Sequence, residues 1–242
     1  MDDPGFGNTF TIIGRCARTG LLGVAMASSS IALASRCPWV RGNVAALAVQ
    51  AYADPGLGPF ALDLAARGYA PARIIEEMRA NDAAREFRQI GIVDQHGRST
   101  VVTGAECPEY AGAIAETDMV AMGNYLVGPA VVADMARAFR ASAGEILEER
   151  LMRALEAARD AGGEKGGQYA GAIMVAGRHP YPRTDLRTDA YDPVPGGPAC
   201  AVGELRRILD RYAPLIDFYE QRAWNPRLGE WQDWAARKQR QT

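Results

Sequence analysis

The sequence predicts an α+β fold of four layers, αββα, with mainly antiparallel sheets. Three observations point there. Apolar runs come in pairs joined by tight turns, the pattern of antiparallel neighbours. Helical patterns also come in pairs, between the strand blocks, which sets helices over the sheet faces. Residues 45–49 are apolar at every position, as expected of a strand covered on both faces. Two stacked sheets between two helical layers satisfy all three.

Each element follows in order. Two apolar runs within residues 9–30 flank a turn at Arg18-Thr19-Gly20, a hairpin that brings Thr9 opposite Ser28 and Ser29. Residues 43–52 form a third strand. A turn over residues 54–59 leads into a helix over residues 60–67, stopped by Gly68. A second helix over residues 72–78 has Ile74, Ile75 and Met78 on one face. Residues 87–93 and 99–103 make another hairpin, and a strand over residues 119–122 runs into Gly123-Asn124-Tyr125. Val131, Val132, Met135 and Phe139 recur at helical spacing, and a helix over residues 146–159 ends at Gly162-Gly163. Strands over residues 171–175 and 185–189 and a helix over residues 204–212 complete the set. The chain divides into an extension (residues 1–8), one domain (9–221) and a charged tail (222–242). Trp224, Trp231 and Trp234 in that tail suit packing on a second subunit or folding back on the domain, and a homodimer is the expected assembly.

The bulk numbers exclude several classes. With 242 residues and 48% hydrophobic content, the chain is long enough for a sizeable core. It has 27 basic and 29 acidic residues, so no cationic excess suits nucleic acid. Its apolar runs are too short to span a bilayer, and Met1-Asp2-Asp3-Pro4-Gly5 does not begin a signal peptide, so a cytoplasmic protein is expected. Cys16, Cys37, Cys107 and Cys200 are scattered, with no CxxC pair, and reduced thiols are expected. His96 and His179 both sit in turn-like sequence. No metal and no cofactor is expected, and a histidine-based triad is disfavoured. A threonine facing serines across a hairpin is the alternative source of a nucleophile.

The order of elements behind a Thr-led strand resembles the N-terminal-nucleophile (Ntn) hydrolase fold. More closely, the chain is similar to a bacterial and archaeal family of uncharacterised Ntn-hydrolase-like proteins, the domain of unknown function numbered 1028. The matching segments are Thr9-Phe10-Thr11-Ile12, Gly23-Val24-Ala25-Met26-Ala27-Ser28, Pro38-Trp39 and Val49-Gln50-Ala51. Further on they are Arg88-Gln89-Ile90-Gly91-Ile92-Val93-Asp94, Thr103-Gly104, Gly123-Asn124-Tyr125-Leu126-Val127-Gly128 and Asp185-Leu186-Arg187-Thr188-Asp189.

The resemblance implies that the first residue of the mature chain is the nucleophile and that its own amine is the base. Thr9 matches that position, and Ser28 and Ser29 match the end of the second strand, where proteasome-type members carry an acid. Gln50 and Ala51 match the turn that supplies oxyanion donors, Asn124 a polar residue near the nucleophile, and Glu164 an anchoring carboxylate. Arg88 and Tyr125 join Gln50, Ala51 and Glu164 as substrate-binding candidates. Each residue also has a plain structural reading. Thr9 suits a strand, the serines suit close packing, Gln50 can satisfy backbone, Asn124 suits a left-handed turn, and Arg88 and Gln89 can brace a sheet. The chain departs from the family pattern in three ways. Eight residues precede Thr9 where typical members begin Met-Thr, so a cut after Asn8 is needed to free its amine. Serines stand where an acid is usual, and no lysine occurs before Lys165, leaving Arg36 and Arg41 as the nearest cations. Glu164-Lys165-Gly166-Gly167-Gln168-Tyr169-Ala170 stands in place of an Asp-x-Arg-Gly-x-x-Ser pattern. The expected function is hydrolysis of an amide or other C–N bond in a small molecule. The alternative is a non-catalytic small-molecule binding protein.

Overall fold

The computed structural model describes residues 8–179, 181–197 and 200–240. It has the expected four layers. The first sheet has six strands in the order β10-β9-β2-β1-β8-β7. These are β1 (Thr9–Arg15), β2 (Leu22–Ser28), β7 (Gly112–Glu116), β8 (Met119–Asn124), β9 (Ala170–Ala176) and β10 (Pro182–Thr188). The second sheet has four in the order β3-β4-β5-β6, namely β3 (Pro38–Arg41), β4 (Ala45–Ala51), β5 (Arg88–Asp94) and β6 (Ser99–Thr103). Every pairing is antiparallel. Helices α1 (Leu57–Ala66) and α2 (Pro71–Ala80) cover the smaller sheet, and α3 (Ala130–Ala141), α4 (Leu147–Asp160) and α5 (Ala201–Tyr212) cover the larger one.

Side-chain alternation explains why the central strands read as unbroken apolar runs. Phe10 and Ile12 of β1 face α3 and α4, while Ile13 faces the second sheet. In β4, Leu47 and Val49 pack on α1 and α2, and Ala46 and Ala48 face the first sheet. Alanines sit among valine, methionine and other aliphatic side chains in the inter-sheet layer and let the sheets approach closely. Gly91 on β5 is one close point, since a Cβ there would lie 2.9 Å from Val120 and 3.1 Å from Ile13.

Two strands, β3 and β7, were not expected from the sequence. Both are edge strands. The first opens on Pro38, which an edge tolerates, and the second reads Gly-Ala-Ile-Ala-Glu, with little apolar bulk to signal it.

Beyond α5, α6 (Ile216–Trp224) and α7 (Trp231–Gln239) fold back on the chain. Trp231 and Trp234 meet Phe218 edge-on at 5.8 and 5.7 Å, and Lys238 pairs with Asp217 at 2.5 Å. Trp224 stacks on His179 at 5.0 Å. An ion-pair knot ties α6 down, with Arg183 on β10 reaching Glu148, Asp217 and Glu220 at 3.0 to 3.2 Å. Among the described residues, no helix is long and apolar enough to cross a membrane.

Overpacking at this close inter-sheet point gives a direct test. Gly91→Ala should lower unfolding stability by about 1–3 kcal/mol with an unchanged urea m-value. A stability equal to the wild type in urea melts would show that the sheets part freely at this point.

Candidate functional site

The first residue of β1 sits between two strand ends. Its register places Thr9 opposite Ser28 on β2 and opposite Asn124 on β8. Thr9 is buried, and its Oγ1 lies 2.6 Å from the Asn8 carbonyl oxygen and 3.2 Å from Ser28 Oγ. The Ser28 hydroxyl also donates to the Asn8 carbonyl and accepts the Ser30 backbone N–H at 3.0 Å. Two hydroxyls therefore converge on the carbonyl of the peptide bond that precedes Thr9.

Behind Thr9, a buried amide network crosses from one sheet to the other. Gln50 accepts from Thr11 Oγ1 at 2.5 Å, and its Nε2 donates to the Thr9 carbonyl at 3.3 Å and to Gln89 Oε1 at 2.8 Å. Gln89 in turn donates to Thr103 Oγ1 and to the Gly112 and Gly123 carbonyls at 3.0 to 3.2 Å. Asn124 Nδ2 donates to Gln89 Oε1 at 3.3 Å, while Asn124 Oδ1 has no partner among the described residues. Gln50, Gln89 and Asn124 are all fully buried. The chain turns left-handed directly after two of the network amides, at Ala51 (φ 65°), the last residue of β4, and at Tyr125 (φ 54°), just past β8. For residues with a Cβ this costs on the order of 1 kcal/mol or more each, and such strain collects at functional sites.

In front of Thr9 lies a cavity of about 390 Å³, within the range of small-molecule sites. Thr9, Ser28, Ser30, Arg36, Tyr52 and Arg88 supply its polar lining, and Ala51 and Cys37 stand in its wall. Burial pushes the Cys37 thiol up to about 11, so at neutral pH it is not a thiolate nucleophile. Arg88 is committed elsewhere. Its Nε pairs with Asp82 at 2.9 Å and its Nη1 donates to the Tyr52 carbonyl, which holds Asp82 below the usual carboxylate range.

Glu164 sits on the far side of the strand end. It forms an isolated bridge with Leu126, and Lys165 N–H donates to the Tyr125 carbonyl at 3.0 Å, which ties this loop to the end of β8. The next turn packs closely, since a Cβ on Gly166 would lie 2.9 Å from Asn8 Nδ2 and from Ser29 Cβ. Neither Glu164 oxygen has a hydrogen bond of normal geometry. Burial drives its carboxyl well above the usual range, opposed only by the Ser29 backbone N–H.

The structure therefore gathers Thr9, Ser28, Ala51 and Arg88 on one cavity. Gln50 and Asn124 stand behind Thr9 as parts of the amide network. Gly166 packs against Asn8 and Ser29, Glu164 faces the Ser29 backbone N–H, and Tyr125 lies under Lys165, whose Nζ is 5.1 Å from its ring. Arg36, which the sequence marked only as one of the nearest cations, is in the cavity wall. Ser30 was legible as part of the Ser28-Ser29-Ser30 run, whereas Tyr52 gave no signal. Residues 1–7, on which the expected extension falls, lie outside the described residues.

A family model described as a family of unknown function, DUF1028, matches residues 9–196. Among curated proteins none matches. Among solved structures, the chain is similar to the crystal structure of protein SPO2555 from Silicibacter pomeroyi, itself assigned to DUF1028. The two share 26% identity over 94% of this chain and 93% of that one, with a TM-score of 0.75. A remoter likeness is to Anbu (ancestral beta-subunit) from Yersinia bercovieri, at 12% identity over 88% of this chain and 97% of that one, with a TM-score of 0.37.

Two substitutions test the buried polar groups. Gln89→Leu strands Gln50 and Asn124 donors and several backbone carbonyls, so unfolding in urea should reveal a loss of at least about 2 kcal/mol. Glu164 binds its proton more tightly folded than unfolded, so it takes stability away as pH rises above the ordinary carboxyl value. Glu164→Gln should match the wild type near pH 4 and melt higher by about pH 8. Parallel melting curves across that span would show that Glu164 is ionised in the fold.

Proposed function

This chain belongs to the family of unknown function DUF1028, and we propose that it hydrolyses a C–N bond, foremost an amide, in a small molecule with the Thr9 hydroxyl as nucleophile. One observation carries the reading. Thr9 Oγ1 stands at the start of an inner strand, beside Ser28 Oγ, and opens on a cavity of about 390 Å³.

The reaction runs in two stages. First the Thr9 hydroxyl attacks the Asn8 carbonyl carbon, the carbonyl whose oxygen lies 2.6 Å from Oγ1. The C–N bond breaks, the nitrogen takes the hydroxyl proton, and water cleaves the resulting ester. Residues 1–8 leave as a carboxylic acid and Thr9 keeps a free α-amine. That amine, with an ordinary pKa near ~8, is the base for turnover. It takes the Oγ1 proton as the oxygen attacks the substrate carbonyl, then passes it to the departing nitrogen. Water releases the acyl group and restores the hydroxyl. The strand end at Ala51, with its left-handed turn in the cavity wall, is positioned to receive the developing oxyanion. Ser28 aligns the hydroxyl.

One observation favours the second reading, a small-molecule binding protein. In the unbroken chain the Thr9 nitrogen is acylated by Asn8, and among the described residues no His, Lys, Asp or Glu lines the cavity to replace it as a base.

Intact mass of untagged protein separates the two. A loss matching residues 1–8 is expected, together with turnover of simple N-acyl substrates. Thr9→Ala should stay full-length, lose turnover entirely and melt within a few degrees of the wild type. A wild type that stays full-length and inactive makes the cavity a binding site.

A further inference from the structure

We propose that the cavity at Thr9 takes a substrate bearing a carboxylate close to its scissile C–N bond, such as a small N-acyl amino acid, and that Arg36 is the residue that selects it. The inference rests on the reading of Thr9 as the nucleophile of a C–N hydrolase and names the substrate class of that site.

Charge in the cavity is one-sided. Among the described residues, two guanidinium groups line it and no carboxylate does. They are not equivalent. The Arg88 fork is filled by Asp82, with contacts of 2.9 and 3.4 Å, and by the Tyr52 carbonyl. Arg36 has no acidic partner among the described residues. Its Nη1 donates to the carbonyls of Ile31 and Ala32 at 3.2 and 3.1 Å, which fixes the group and leaves Nε and Nη2 open. Those two nitrogens form the edge that matches a carboxylate with two parallel hydrogen bonds. A half-buried cation in a concave wall also projects its field into the space before it.

The loop that holds Arg36 is rigid. Ala32 adopts a left-handed conformation (φ 52°), its N–H donates to the Asp189 carbonyl at 2.7 Å, and Ser35 Oγ donates back to the Ala32 carbonyl at 2.8 Å. Arg36 is thus set in place before any ligand arrives, which lowers the ordering cost of binding. The cavity volume suits a ligand of amino-acid size better than a chain. With Arg36 and Thr9 in one small wall, a substrate held by its carboxylate presents a nearby acyl carbon to the hydroxyl.

The test compares N-acetyl-L-alanine with its neutral carboxamide, N-acetyl-L-alaninamide. Binding is measured by calorimetry on full-chain Thr9→Ala, and turnover on the wild type. The acid should bind at least about 10-fold more tightly than the amide. Arg36→Gln should erase that difference at an unchanged melting temperature, and Arg36→Lys, which keeps the charge, should restore part of it. Equal affinity for both probes, no binding of either, or an Arg36→Gln variant that folds and still prefers the acid overturns the inference. Tight acid binding without turnover leaves the carboxylate site standing and removes the hydrolase reading. Equal turnover of both probes does the reverse.

Discussion

The hydrogen bond between Gln50 and Gln89 is the interaction on which the rest of this structure depends. It joins neighbouring strands of one sheet, and through it both side chains reach across the apolar inter-sheet layer. Gln50 holds Thr11 and the Thr9 carbonyl of the other sheet, and Gln89 holds Asn124 and the Gly123 carbonyl there. Apolar packing alone would let two sheets slide, because methyl groups and alanines fit in more than one register. A fully buried amide pair permits only the register in which its donors and acceptors meet, since stranding any of them costs about 1–3 kcal/mol. The network therefore fixes where β1 ends relative to β4 and β8, and with it the position of Thr9.

The same network accounts for the strain around the site. Gln50 is the penultimate residue of β4 and Asn124 the last of β8, both held inward by their amides. The following residues, Ala51 and Tyr125, turn left-handed to leave the sheet. Ala51 thereby enters the cavity wall, while Tyr125 tethers the loop carrying Glu164. One set of buried hydrogen bonds thus shapes both flanks of Thr9, the cavity in front and the acid-bearing loop beside it.

Much of this was legible in the sequence because burial leaves a strong mark. The four-layer order, the hairpin register and the pairing of Thr9 with Ser28 follow from apolar runs and one tight turn. The edge strands β3 and β7 were not legible, since an edge needs neither apolar bulk nor alternation. Gln50 was visible as a polar break in an apolar run, but the sequence could not say whether it faced a ligand or a partner. The answer, an inter-sheet connector, depends on Gln89 lying beside it, 39 residues further along the chain. Arg36 was visible as a cation but not as a cavity residue, because its place is set by a left-handed bend at an alanine, a conformation that residue type does not advertise.

The side chains around Thr9 constrain what the chemistry can be. Among the described residues, the cavity offers hydroxyls, a thiol that burial keeps protonated, and two arginine guanidinium groups. Glu164, the nearby acid, has its carboxyl raised well above the usual range by burial and is not among the residues lining the cavity. Under the proposed hydrolysis, the base for Thr9 must then come from the main chain, and an α-amine is the one main-chain group with a pKa near neutrality. The same inventory gives Arg36 its role. A cavity with fixed cations and no acid is poor at drawing in a neutral amide and good at holding an anion. Positioning by charge and activation by a terminal amine are complementary demands on one small wall, and the two hydroxyls gathered on the Asn8 carbonyl stand where both demands meet.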